Sequence, residues 1–211
     1  MDSLIGDLAT WAVDVMERLG YWGLALLVAL ENIFPPIPSE VILPLAGFLT
    51  SDGRMSFPLA LLSATIGSVA GALVLYWVGS AFGEARVRSI VRRRGRWLRL
   101  GEEDVDLADA WFDRHGGLAV MLCRVVPIVR SLISIPAGLR RMPMAKFVLY
   151  TTIGSAAWNT ILVGAGWILG DNWEAVEAYV GYLQYAVIAA VTALVAWWIW
   201  ARFVKPGTPR P

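Results

Sequence analysis

Residues 123–138 read CRVVPIVRSLISIPAG. They sit in a longer apolar run, Leu118 to Leu139, that would pass for a membrane span. Two features oppose a straight span. Arg124 and Arg130 place cations where lipid would be. Pro127 and Pro136 each remove a backbone donor and clash with the preceding turn. One charge at the centre of a spanning helix costs roughly 2.5–3.5 kcal/mol on insertion scales. The stretch therefore predicts a re-entrant hairpin, broken in mid-membrane, with its irregular backbone kept against protein or water.

A second stretch has the same construction. Residues 21–33 are apolar up to Glu31 and Asn32, then Pro35, Pro36 and Pro38 interrupt, then Ser39 and Glu40 precede an apolar run to Leu49. Each arm would measure about 20 Å as a helix, short of the ~30 Å hydrocarbon core. Residues 21–50 are thus expected to form another re-entrant hairpin.

Full spans are expected at 57–82, 145–169 and 178–203, the last ending on Trp197, Trp198 and Trp200 as interfacial anchors. Apolar residues make up 57% of the 211-residue chain, above the ~45–50% of a soluble domain. The expected fold class is an all-α integral membrane protein: an inverted repeat of re-entrant hairpin plus transmembrane helix, with an extra C-terminal transmembrane helix. Residues 3–19 carry apolar positions at helical spacing, so 1–20 is expected as an amphipathic helix, on the membrane surface or packed on the protein. Residues 21–170 form the core and 171–211 the last span and basic tail. Gly67 with Gly71, and Gly166 with Gly170, suit close helix contact, either internal or in a homodimer.

Basic residues set the orientation. Segment 84–115 holds eight arginines against seven acids, and Arg140, Arg141, Lys146, Arg202, Lys205 and Arg210 flank the later apolar segments. All are expected to be cytoplasmic, the C-terminus included. The two hairpins then enter from opposite sides. Their sequences also correspond. PPIPSEVILPLAGFL (35–49) parallels VPIVRSLISIPAGLR (126–140), and TIGS occurs at both 65–68 and 152–155. Inverted repeats with broken helices are the plan of secondary transporters, whose sites lie near the midplane.

Glu31, Glu40, Arg124 and Arg130 are the ionisable residues inside the hairpins. They are expected to pair across the repeat, face water or hold a ligand, and intramembrane ionisable residues point to function. Arginine's planar fork suits phosphate. A desolvated carboxylate at Glu31 or Glu40 is a candidate proton carrier. Asn32, Ser39, Ser131 and Asn159 are candidate cavity-lining residues, and Asn159 equally suits helix–helix bonding. His115 and Cys123 carry little: one lies at an interface beside two glycines, and the other is a lone thiol in an apolar segment.

Glu31-Asn32, Pro-x-Pro-Ser-Glu, Ala46-Gly47, Arg124-x-x-Pro-x-x-Arg130, Pro136-Ala137-Gly138, Met142 and Phe147 together resemble the DedA family, also called SNARE-associated or VTT-domain proteins. The resemblance covers about residues 20–170. It implies a bacterial inner-membrane protein with two facing hairpins that returns undecaprenyl phosphate to the cytoplasmic leaflet. It further implies links to the proton motive force, polymyxin resistance and growth at alkaline pH, and kinship with eukaryotic scramblases. By motif position the essential acids fall on Glu31 and Glu40, and the essential arginines on Arg124 and Arg130. Many members have Gly-Asp where this chain has Ser39-Glu40, which lengthens that carboxylate.

The expected function is a lipid flippase for undecaprenyl phosphate or a related anionic lipid phosphate, driven by the proton gradient or passive. No P-loop is present, so ATP hydrolysis is not expected. No cofactor, metal or nucleic-acid partner is expected. The alternatives are a small-ion or drug/proton antiporter, a membrane lipid-phosphate phosphatase, and a structural membrane protein.

Overall fold

The computed structural model describes residues 2–34, 39–83, 102–126 and 129–170, together with residue 193. Among them all regular structure is α-helical: α1 (Asp2–Ile33), α2 (Ser39–Ser51), α3 (Phe57–Phe82), α4 (Glu102–Cys123), α5 (Val129–Leu132), α6 (Ser134–Leu139) and α7 (Met144–Leu169). Apart from residue 193, the span expected at 178–203 lies outside the described residues, as do the basic tail, the arginines of 86–99, Pro35, Pro36, Pro38 and Pro127.

Among the described residues two helices are long and apolar enough to cross a membrane, α3 and α7. Each begins after a proline-bearing turn: Ser56 caps α3 with Pro58 in its first turn, and Pro143 caps α7. Such prolines suit a helix start, where the missing N–H has no helical partner. The outer faces of both helices are apolar and uncovered, for example at Leu62, Ile66 and Trp77 on α3 and Leu149, Ile153 and Ile161 on α7. In lipid such a face needs no partner.

The N-terminal amphipathic helix does not end before the first hairpin. It continues through Gly20 into the 21–33 arm, with a sharp break there (φ 58°, ψ −135°) that glycine alone takes readily. Ala12 and Met16 are buried in a cluster with Leu24, Leu49 and Leu162, so this face packs on the protein itself. Beyond Gly20, α1 runs beside α3. Gly67 and Gly71 of α3 lie so near the Ala25 and Ala29 carbonyls that a Cβ at either would strike α1. The chain then reverses into α2, and Arg54 just past α2 pairs with Glu17.

Helix α4 also crosses an expected boundary. It is continuous from Glu102 to Cys123, through the Gly116-Gly117 pair that the sequence placed between a surface segment and a hairpin. The glycines serve packing: a Cβ at Gly116 would meet the Phe112 ring, and one at Gly117 the Tyr150 ring. Helix α4 closes with i to i−3 bonds from Arg124, Val125 and Val126. That tightening is common in a last helical turn. Ile133 separates α5 from α6, three residues ahead of Pro136, whose ring denies the Leu132 carbonyl its helical donor.

The short helices grip the long ones backbone to backbone. Gly47 of α2 abuts the Val163 carbonyl of α7, and Gly166 of α7 abuts the Pro44 carbonyl of α2. In the same way Gly138 of α6 abuts the Tyr76 carbonyl of α3, and Gly79 of α3 abuts the Ile135 carbonyl. The Gly67/Gly71 and Gly166 faces are therefore occupied inside the monomer. Helix α6 ends in a Schellman motif: Met142 N–H donates to the Ala137 carbonyl (3.0 Å) and Arg141 N–H to the Gly138 carbonyl (2.9 Å). Arg141 takes the left-handed position (φ 48°) that glycine usually fills. Tyr76 then ties the turn to α3 by donating to the Met142 carbonyl at 2.6 Å.

Candidate functional site

Three of the four ionisable residues singled out in the sequence, Glu31, Arg124 and Arg130, come together. Glu31 and Asn32 sit in the last turn of α1, Arg124 directly after α4, and Arg130 on α5. All are buried: Glu31 is 1% exposed, Arg124 1% and Arg130 7%. Arg130 Nη2 donates to Glu31 Oε1 in a buried ion pair. Arg124 is held differently. Its Nη1 donates to Asn32 Oδ1 (3.2 Å) and its Nη2 to Ser134 Oγ (2.9 Å). Its partners among the described residues are thus neutral, and its Nε is buried with none.

Local folding explains these positions. Asn32 Nδ2 donates to the Val28 carbonyl one turn back (3.1 Å), which turns its Oδ1 outward to Arg124. Arg124 follows the last turn of α4, where the carbonyl end of the helix dipole favours a cation. Its Cβ and Cγ fit against Gly154 of α7, where a side chain would collide with them. Ser131 is buried beside Arg130. Ser39 and Glu40 stand in the first turn of α2, and their side chains are not among those described.

The centre as described holds two guanidiniums against one carboxylate. Burying a charge is costly unless it is paired and hydrogen-bonded. Glu31 answers Arg130. Arg124 has hydrogen bonds but no countercharge from the described residues. A site of this kind suits an anion.

Asn159 is separate from the arginines' bonding. It is buried on α7, and its Nδ2 lies 3.3 Å from both Thr65 Oγ1 and Ser68 Oγ of α3. It joins the two long helices. Pro136 is inside α6 and its carbonyl accepts from Arg140 N–H (3.0 Å). Cys123 is a half-buried free thiol, and His115 is exposed on α4.

Sequence reasoning missed Ser134, Thr65 and Ser68. A serine in an apolar hairpin carries no charge that demands a partner, so only the Arg124 geometry brings Ser134 out. Thr65 and Ser68 belong to the first TIGS, whose recurrence suggested a repeat and not a bonding role.

Apolar spanning helices that enclose paired and part-paired charges define an all-helical membrane protein with a polar centre. The chain belongs to the VTT-domain family, the DedA family of the sequence resemblance: the family model matches residues 37–168. It is 44% identical to an alkaline phosphatase-like protein of Lactococcus lactis subsp. cremoris, over 84% of this chain and 83% of the relative. It is 34% identical to undecaprenyl phosphate transporter A of Staphylococcus aureus, over 87% of this chain and 89% of the relative. The protein of that name from Bacillus subtilis is 32% identical, over 94% and 95%. No solved structure matches the chain.

Proposed function

We propose that this protein carries the phosphate head group of undecaprenyl phosphate, or a related anionic lipid phosphate, between the leaflets of the bacterial inner membrane. The observation that carries the reading is Arg124: a buried guanidinium with neutral partners among the described residues, next to the Arg130–Glu31 pair. A phosphate would supply a negative charge that the described residues do not give Arg124, and arginine's fork binds it in two-point fashion. The names of the Staphylococcus and Bacillus relatives agree with this cargo.

Arg124 and Arg130 bind the phosphate. Glu31 holds Arg130 when cargo is absent and releases it to the phosphate when cargo arrives. Protonation of Glu31, aided by Glu40, couples that exchange to the proton gradient. The lipid tail stays in the bilayer throughout, along the uncovered apolar faces of α3 and α7.

The two hairpins are re-entrant and related by an inverted repeat. The glycine contacts support this. A spacing of 87 residues relates Tyr76 to Val163 and Gly79 to Gly166, while 91 relates Pro44 to Ile135 and Gly47 to Gly138. The TIGS pair and the Ala-Gly pair of the sequence have these same two spacings. Each long helix is thus gripped by the short helix of the other half, at matching positions.

The test is reconstitution in liposomes with a fluorescent polyprenyl phosphate. Wild type should move it between leaflets faster than empty vesicles, and an imposed pH gradient should bias the direction. Arg124→Ala and Arg130→Ala should abolish the movement while still folding. Wild type no faster than empty vesicles, with and without the gradient, overturns the reading. Phosphate release in the same vesicles would instead support hydrolysis, the reading suggested by the name of the Lactococcus relative.

A further inference from the structure

We propose a second anion site, in the groove between α4 and the start of α7, that holds a phosphate monoester. The groove has a volume of about 360 Å³, within the ~300–1,000 Å³ of small-ligand sites. Arg114, Arg140, Arg141 and Lys146 line it, with Asp113 as the carboxylate among the lining residues. Asp113 already accepts from Arg140 Nη2 at 2.8 Å. Among the described residues that line the groove, Arg114, Arg141 and Lys146 leave a surplus of positive charge around one concavity, and His115 stands at the same wall.

Basic residues beside spans set orientation in the membrane. That role needs charge on the right side and no particular shape. Two observations here exceed it. Arg141 occupies the left-handed position of the Schellman turn (φ 48°), where glycine would close the same turn without strain. The arginine there carries a conformational cost. Gly116 and Gly117 admit the Phe112 and Tyr150 rings, which both line the groove. The result is a lined depression ringed by cations.

The groove stands apart from the Arg124 centre. Leu118, the lining residue on α4 nearest that centre, is about 7.5 Å from Cys123 along the helix axis, at 1.5 Å per residue. None of Glu31, Asn32, Arg124 and Arg130 lines the groove. The site is inferred from its own charge and shape. Only its part as a station in lipid passage rests on the transport reading.

The chain contains two lysines, Lys146 and Lys205, which allows a local test. The full chain in neutral phosphatidylcholine nanodiscs is acetylated with a water-soluble N-hydroxysuccinimide ester, and each lysine is followed by mass spectrometry. Farnesyl monophosphate should slow modification of Lys146 at least five-fold and leave Lys205 unchanged. Farnesol, which lacks the charge, should protect neither. Protection by inorganic phosphate at the same concentration would identify a soluble phosphate as the occupant. Protection by farnesyl phosphate alone would identify a lipid head group. Arg141→Gly, which relieves the left-handed strain and so should fold, must remove most of the protection. Arg124→Ala should keep it even where lipid movement is lost, so the two sites fail separately. No protection by either anion, or full protection in Arg141→Gly, overturns the proposal.

Discussion

Arg124 donates to the Asn32 side-chain oxygen at 3.2 Å, tying the end of α4 to the end of α1 across 92 positions of sequence. Asn32 is itself oriented by its bond to the Val28 carbonyl. Replacing it with Leu would strip Arg124 of one of two neutral partners. Asn32→Leu should lower stability by about 1.5–3 kcal/mol, the range for hydrogen bonds to charged groups, and lower lipid movement with it. Asn32→Asp should separate the two effects. It gives Arg124 a countercharge, so thermal stability in detergent should hold or rise while lipid movement falls. Full transport in Asn32→Asp would argue against an anion at Arg124.

The Glu31–Arg130 pair should show strong coupling. Removing one partner of a buried pair costs about 3–5 kcal/mol, because the other charge is left alone. Glu31→Gln and Arg130→Gln should each be destabilised to this degree. The double variant should be more stable than the sum of the two losses predicts. Additive losses in a double-mutant cycle would mean that the pair is not formed in the folded protein.

The charged centre was legible in the sequence because charge in an apolar run has so few explanations. Glu31, Arg124 and Arg130 stand out for that reason, and the structure brings them together with Asn32. Spans 57–82 and 145–169 were legible from length and hydropathy, and the helices match them to within one residue. What pattern could not give was continuity. Gly20 looks like a stop, yet the helix bends there and goes on. Gly116-Gly117 looks like a boundary, yet the glycines make room for the Phe112 ring of the same helix and the Tyr150 ring of α7. Ser134 was illegible because a hydroxyl near an arginine is ordinary in sequence and specific only in three dimensions.

The glycine contacts offer a matched stability test. Gly47→Ala and Gly138→Ala each press a Cβ onto a carbonyl of a neighbouring helix. Overpacking of this kind costs about 1–3 kcal/mol. The two losses should be similar, as the paired geometry requires. Gly164 has open space around its Cβ position. Gly164→Ala should be neutral or stabilising, by up to ~1 kcal/mol from helix propensity. A Gly138→Ala variant that melts with wild type would contradict the close approach to Tyr76.

Asn159 should act as a fastener. Side-chain hydrogen bonds between membrane helices contribute about 0.6–2 kcal/mol. Asn159→Ala should lose roughly that much stability, and lipid movement per folded molecule should change little. A complete loss of transport at unchanged stability would instead place Asn159 on the cargo path.

Arg141→Gly should melt later than wild type, since a non-glycine residue in the left-handed region carries of order 1–3 kcal/mol of strain. A differential unfolding scan in detergent reads this directly. Earlier melting would mean that the Arg141 side chain makes stabilising contacts that outweigh its backbone.

The crossed grip of short helices on long ones also constrains how the chain is made. Gly47 and Pro44 emerge early in synthesis, but the carbonyl and glycine they pack on belong to Val163 and Gly166. Until α7 has been translated, α2 can rest on α1 and α3 but lacks the backbone surface that Gly47 closes against. Helix α3 must likewise wait for Ile135 and Gly138. The first half therefore enters the bilayer unfinished, its buried carboxylate without its arginine, until α5, α6 and α7 supply in turn the arginine and the two backbone grips. Contacts so distant along the chain slow folding. A nascent chain stopped before residue 163 should accordingly be a ready target for membrane proteases, and one stopped beyond α7 should resist them.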